Sequence, residues 1–194
     1  ICFGLFYINK FEEHLDKKTY LLGFKNGIFN FENKKFHKFN YDEHLKLSTH
    51  QYYNNFIPKE TIINFDNFIK ELLPNLEIRN YFLTIFSCYL KGINYGYLHI
   101  FVNIDKRVIR MLKQVFGDYG VYLPKEFVSL NLGCDKYKDS NSIIETNGKR
   151  IGFIEENNTF KFNTRTFLYL RDGISGISNI DDKEYKFESQ LNLI

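Results

Sequence analysis

Two short apolar runs limit what this chain can become. Leu98-His99-Ile100-Phe101-Val102 and Ile151-Gly152-Phe153-Ile154 lack the in-and-out alternation of a strand with one wet face. Such runs fit strands buried on both sides, and those occur in sheets covered by helices. After the first run come Asn103-Ile104-Asp105 and then Val108, Ile109, Met111, Leu112, Val115 and Phe116 at helical spacing, closed by Gly117. The second run ends in Glu155-Glu156, and Phe167, Leu168 and Leu170 follow on the apolar side of another helix. A hairpin is predicted last, from Ile174 to Ile180, through Asp181-Asp182, and back from Tyr185 to Ile194. Strand, helix, strand, helix predicts an α/β domain with a mostly parallel sheet.

The upstream half reads differently. Tyr20 to Phe24 alternates, Asn26-Gly27 offers the two positive-φ positions of a tight turn, and Ile28, Phe29 and Phe31 return. Glu32 to Lys35 makes a second turn before Phe36 and Phe39, so residues 20–40 form a small β-meander. Residues 41–60 lack a period and read as a connector ending at Pro58. Phe65, Phe68, Ile69, Leu72 and Leu73 then predict a helix ended by Pro74. Leu76, Ile78, Tyr81, Phe82, Ile85, Phe86, Tyr89 and Leu90 predict a second, capped by Gly92, and the two read as a core helix pair.

With 194 residues and 44% hydrophobic content, the chain can bury a core and is not a disordered segment. A net charge of +3 is too mild to indicate nucleic-acid binding without a local basic surface. No apolar run reaches the ~18–20 residues that span a bilayer. The start lacks a basic region and a cleavage site. The expectation is a soluble, non-secreted protein without membrane contact. Ala and Trp are absent while Phe (21) and Tyr (14) abound, as do Asn, Ile and Lys. Codons of an AT-rich genome explain that bias better than the fold does. Cys2, Cys88 and Cys134 are far apart and show no metal-ligand spacing, so they read as thiols of a reducing compartment. Ile1 and Leu191-Asn192-Leu193-Ile194 read as the cut ends of a longer protein, the latter as a strand stopped midway.

Several segments, in order, resemble poxvirus-type primase-helicases and phage or plasmid primases. Tyr20-Leu21-Leu22-Gly23-Phe24-Lys25-Asn26-Gly27-Ile28-Phe29 is similar to the stretch that precedes the helical linker and superfamily 3 helicase domain of that family. Glu77 to Ile85 resembles the linker helix, and Leu90-Lys91-Gly92 its ending. Leu112 to Tyr119 resembles the helix end after the Walker A motif, and Gly148 to Glu156 the Walker B strand. The resemblance covers about residues 15–194 and implies three parts. Residues 1–50 would end an upstream domain with β-hairpins, 51–93 form a helical linker, and 94–194 a C-terminally incomplete ATPase core. The implied fold is α/β, a partial P-loop-NTPase-like (AAA+-type) mostly parallel sheet preceded by the meander and linker.

The resemblance also implies sites, and some are eroded. Glu156, with Glu155 before it, stands where the family holds Mg²⁺ and polarises the attacking water. Lys106 and Arg107 read either as the remnant of the family's phosphate-binding Lys-Ser/Thr or as a basic pair on a solvated helix face. No Gly occurs from Leu98 to Gln114, so the loop is several residues short of a phosphate cradle, and Asp105 adds a negative charge there. The expectation for residues 98–117 is strand, short loop and helix. Leu170 to Ile177 keeps part of the family's stretch before a DNA-channel hairpin, with Arg171 at the base and Lys183 and Lys186 as its basic candidates. Asp181, Asp182, Glu184 and Glu188 make that hairpin locally acidic.

Three readings follow. One is a fragment of a working ATP-dependent replicative helicase, with ATP and Mg²⁺ as cofactors, single-stranded or forked DNA as partner, and a ring-type homo-oligomer as its assembly. The second is a decayed relative with weak or lost ATPase activity and no cofactor, kept as a DNA-binding or assembly subunit. The third is an unrelated α/β domain. The first two place the chain in the cytoplasm or at a viral replication site.

Overall fold

The computed structural model describes residues 14–93, 99, 104–123 and 146–154, together with the backbone of 175–180, 183–188 and 192–193. The chain is a mixed α/β structure. It opens with an antiparallel meander of β1 (Leu21–Phe24), β2 (Gly27–Asn30) and β3 (Lys35–His37). Phe24 pairs with Gly27, so the tight turn is Lys25-Asn26, one residue earlier than the sequence suggests. The cause lies in the connector. Lys25 N–H donates to the Gln51 carbonyl, and the Asn26 side-chain amide exchanges two hydrogen bonds with the backbone of Tyr53, at 2.9 and 2.8 Å. The second turn is shaped by Asn30 Oδ1, which accepts from Glu32 N–H, and by Asn33 Oδ1, which accepts from Lys35 N–H.

Helix α1 (Lys59–Leu72) follows Pro58 directly, several residues before the first apolar repeat. Helix α2 (Leu76–Leu90) starts at Asn75, whose Oδ1 accepts from Glu77 and Ile78 N–H. Arg79 reaches back and donates to the Leu73 carbonyl, which covers the end of α1. The expected core stripes are narrower than predicted. Ile69 is the buried residue of α1, while Phe65 stays exposed. In α2, Phe82, Phe86 and Tyr89 are buried, and Leu76, Ile78 and Tyr81 are exposed.

Helix α3 (Lys106–Phe116) begins where the sequence predicts and buries Val108, Leu112 and Phe116 at a spacing of four. Gly117 ends it at φ +53, and a Cβ there would lie 2.6 Å from the Thr49 carbonyl, so only glycine fits. Strand β4 (Gly120–Tyr122) follows at once; three residues are too few to show a period, and it went unpredicted. Strand β5 (Ile151–Phe153) lies as expected and is wholly buried. It pairs in parallel with β4 on one side and with β8 (Asn192–Leu193) on the other. Strands β6 (Ser175–Ile180) and β7 (Lys183–Glu188) form an antiparallel hairpin, with Ile180 opposite Lys183. The predicted return strand to Ile194 is divided: Lys183–Glu188 lies in the hairpin, whereas Asn192-Leu193 pairs with β5 in the parallel sheet.

A single cluster of buried side chains draws Leu22 from β1, Phe82, Phe86 and Tyr89 from α2, Val108, Leu112 and Phe116 from α3, and Ile151 and Phe153 from β5. The expected strand at 98–102 lies outside the described residues apart from His99, as does the expected helix carrying Phe167, Leu168 and Leu170.

Candidate functional site

The start of α3 is where phosphate recognition would be centred. Asp105 precedes the helix in an extended conformation, and its Oδ1 accepts from Arg107 N–H at 2.8 Å. The same carboxylate is gripped from the side. Arg107 Nε and Nη2 donate to Asp105 Oδ2 at 3.0 and 2.8 Å, and Nη1 donates to Glu71 Oε1 of α1 at 2.7 Å. The hydrogen bonds from Arg107 hold the Asp105 carboxyl below the usual carboxylate range, and both acids raise the Arg107 guanidinium. A helix N-terminus attracts anions because its first N–H groups are unpaired and its dipole is positive. Here a carboxylate of the chain already fills that role. Lys106 is exposed beside it.

The second element is β5, the middle strand of the parallel trio. Ligands in such sheets bind beyond the carboxyl ends of the strands. Glu155 and Glu156 follow that end directly in sequence, and both lie outside the described residues, as does Arg171. Lys183 and Lys186 are placed by backbone register alone, opposite Ile180 and Ile177. No group of His, Cys, Asp and Glu able to hold a metal ion occurs among the described residues.

Sequence reasoning missed two buried polar centres next to these elements. Arg150, immediately before β5, is only 2% exposed. Its guanidinium donates to the carbonyls of Leu90, Thr19 and Leu21 and lies 4.4 Å over the Tyr119 ring. Burial lowers its pKa to about 10, which leaves it charged at neutral pH. Tyr119 Oη accepts from Gly23 N–H at 2.9 Å and donates to the Leu47 carbonyl at 3.0 Å. Together they fasten the meander, the connector and the end of α2 to the start of β5. The only signal in the sequence was a basic residue entering an apolar strand.

His99 forms the other centre. Tyr81 Oη lies 2.8 Å from Nε2 and Tyr89 Oη 2.5 Å from Nδ1. A neutral imidazole satisfies both phenols, donating through one nitrogen and accepting through the other. Burial lowers the His99 pKa, and burial together with Tyr81 raises that of Tyr89. Tyr81 and Tyr89 are two turns apart on α2, a spacing that the apolar stripe absorbed.

Comparison with known proteins identifies the lineage. Residues 7–74 match the family described as D5 N terminal like. Over 147 residues the chain is 30% identical to "Putative helicase L207/L206" of Acanthamoeba polyphaga mimivirus, an alignment that takes in 73% of this chain. The chain is related to the D5-like viral primase-helicases. It is also 29% identical over 85 residues, 43% of its length, to "Putative helicase 121R" of Invertebrate iridescent virus 3. The aligned parts span 15% and 9% of those two proteins. No helix among the described residues is long and apolar enough to cross a membrane.

Proposed function

We propose that this chain is part of a DNA-replication primase-helicase in which ATP is bound weakly or not at all, and that its retained role is contact with DNA or assembly. The observation that carries this reading is the closed start of α3. Asp105 caps the helix, Arg107 is held by Asp105 and Glu71, and the sequence from Leu98 to Gln114 has no glycine to let backbone N–H groups curl round a phosphate. The residues present there do not fit a triphosphate. Arg107 would have to leave two carboxylates, and Asp105 would face the phosphates at a Coulomb cost of about 1–4 kcal/mol at ~4 Å. Each phosphate–donor hydrogen bond that is missing forfeits about 1.5–3 kcal/mol. Two or three missing bonds weaken binding on the order of a hundredfold or more.

A second reading, a working ATPase core within a longer protein, is favoured by β5. It is buried, flanked by parallel strands on both sides, and followed by Glu155-Glu156 as the family's Walker B strand would be. Steady-state hydrolysis separates the two. The first expects no turnover above background in this chain with Mg²⁺ and ATP. Turnover that Glu156→Gln abolishes would reinstate the second, with Glu156 polarising the attacking water and holding Mg²⁺ through its water.

A further inference from the structure

One aromatic ring of the connector is fixed in place and yet left open to water. Lys25 N–H donates to the Gln51 carbonyl, and the Asn26 side chain exchanges two hydrogen bonds with the backbone of Tyr53. Tyr53 then packs onto the meander. Its ring stacks on Phe36 at 4.4 Å and meets Phe24 and Phe29 at 5.4 and 5.5 Å. Tyr52, between these two anchored residues, is 66% exposed. The Lys25 ammonium lies 5.5 Å from the centre of its ring. Lys25 forms no ion pair among the described residues, and Glu32 lies in the turn at the other end of the meander. Exposed aromatic rings are ordinary on protein surfaces. This one differs in having both neighbours hydrogen-bonded into the fold and a cation beside it. Tyr41 and Phe56 are more exposed, but no ring or cation stands against either among the described residues.

We propose that Tyr52 and Lys25 bind one nucleotide of a single-stranded nucleic acid, the base stacking on the Tyr52 ring and the phosphate pairing with the Lys25 ammonium. The inference rests on the reading above that the chain contacts DNA, and it names the surface. Single-strand binders combine aromatic side chains, on which any base can stack, with cations that follow the backbone. A ring whose neighbours are already tied down has little backbone entropy left to lose when a base settles on it. An exposed cation–π contact is weak, so the ammonium can pass from the ring to a phosphate. His50, two residues before Tyr52, is engaged by Asp118 and is not counted as a phosphate contact. The site lies where the β1–β2 turn meets the connector, away from the β6–β7 hairpin, in which Lys183 and Lys186 are interleaved with Glu184 and Glu188.

The test is fluorescence anisotropy of the 194-residue chain across a salt series, with a labelled oligo-dT and with an abasic strand of the same length, which keeps the phosphates and lacks the bases. Circular dichroism checks that each variant is folded. The parent should bind oligo-dT more tightly than the abasic strand. Tyr52→Leu should weaken oligo-dT binding on the order of tenfold, the loss expected for one stacked base, and leave binding of the abasic strand unchanged. Tyr52→Phe should bind like the parent. Lys25→Gln should lower the salt slope by about 0.7, the share of one phosphate contact on a single strand. If Tyr52→Leu binds oligo-dT like the parent while Lys183→Ala with Lys186→Ala abolishes binding, the Tyr52 site is wrong and the DNA reading stands. Equal affinity of the parent for the two strands also overturns the stacking site. If the parent shows no salt-dependent binding at all, the site and the DNA reading both fall.

Discussion

Arg107 at the start of α3 and Arg150 at the start of β5 both direct their guanidinium groups to acceptors within the chain, one in water and the other in the core. Arg107 pairs with carboxylates on a surface where its own side chain is 48% exposed and Glu71 63% exposed. Arg150 has three backbone carbonyls and an aromatic ring at 2% exposure. Water screens the first set of contacts and cannot replace the second. Arg150 therefore holds the fold together, whereas Arg107 ties the helix end to Asp105 and Glu71 in contact with water. The two ends of this α/β unit are specialised by burial, although the residue type is the same.

The largest effect should come from the core side. Arg150→Met leaves the Leu90, Thr19 and Leu21 carbonyls without their donor and should cost about 3 kcal/mol or more. The readout is a lower urea midpoint at unchanged slope. Tyr119→Phe removes the hydroxyl shared by Gly23 and Leu47 and should cost about 1–3 kcal/mol in the same assay. Equal stability of both variants and the parent would mean that the centre carries no load.

A smaller, pH-dependent effect is expected at His99. Its folded pKa lies below the ordinary 6.5 because burial disfavours the charged ring. As pH falls below 6.5 the unfolded chain takes up the proton first, so stability from this group is complete above that value and declines below it. The urea midpoint should fall between pH 7.5 and 5.5, and less so in His99→Gln. An identical fall in both proteins would place the sensitivity at another group. The smallest effect belongs to the exposed pairs. Glu71→Gln should leave the melting temperature nearly unchanged, since exposed ion pairs contribute little. A large drop would show that Arg107 and Glu71 fasten α1 to α3.

How much of this was legible in the sequence follows from the range of the interactions. The meander, α3 and β5 could be read because alternation and helical spacing are local signals. The first turn slipped by one residue because Asn26 is claimed by Tyr53, a partner far along the chain. The core stripes of α1 and α2 were drawn too wide because Phe, Ile and Tyr are so abundant that apolar spacing persists on exposed faces. Arg150 and His99 were invisible because their partners come from segments 10 to 131 residues away. At the candidate site, the sequence showed Asp105 before α3 and no Gly from Leu98 to Gln114. That Arg107 would turn back to grip Asp105 and reach across to Glu71 required the packing of α1 beside α3.

The direct test of the closed helix end is an equilibrium titration of the chain with Mg²⁺–ATP, followed by calorimetry, alongside a Lys106→Ala variant. The proposed function expects binding weaker than about millimolar, equal in the two proteins, with Asp105 and Arg107 paired to each other at the helix start. Binding at millimolar affinity or tighter in the parent, lost in Lys106→Ala, would contradict it and return α3 to the role of a nucleotide-binding helix.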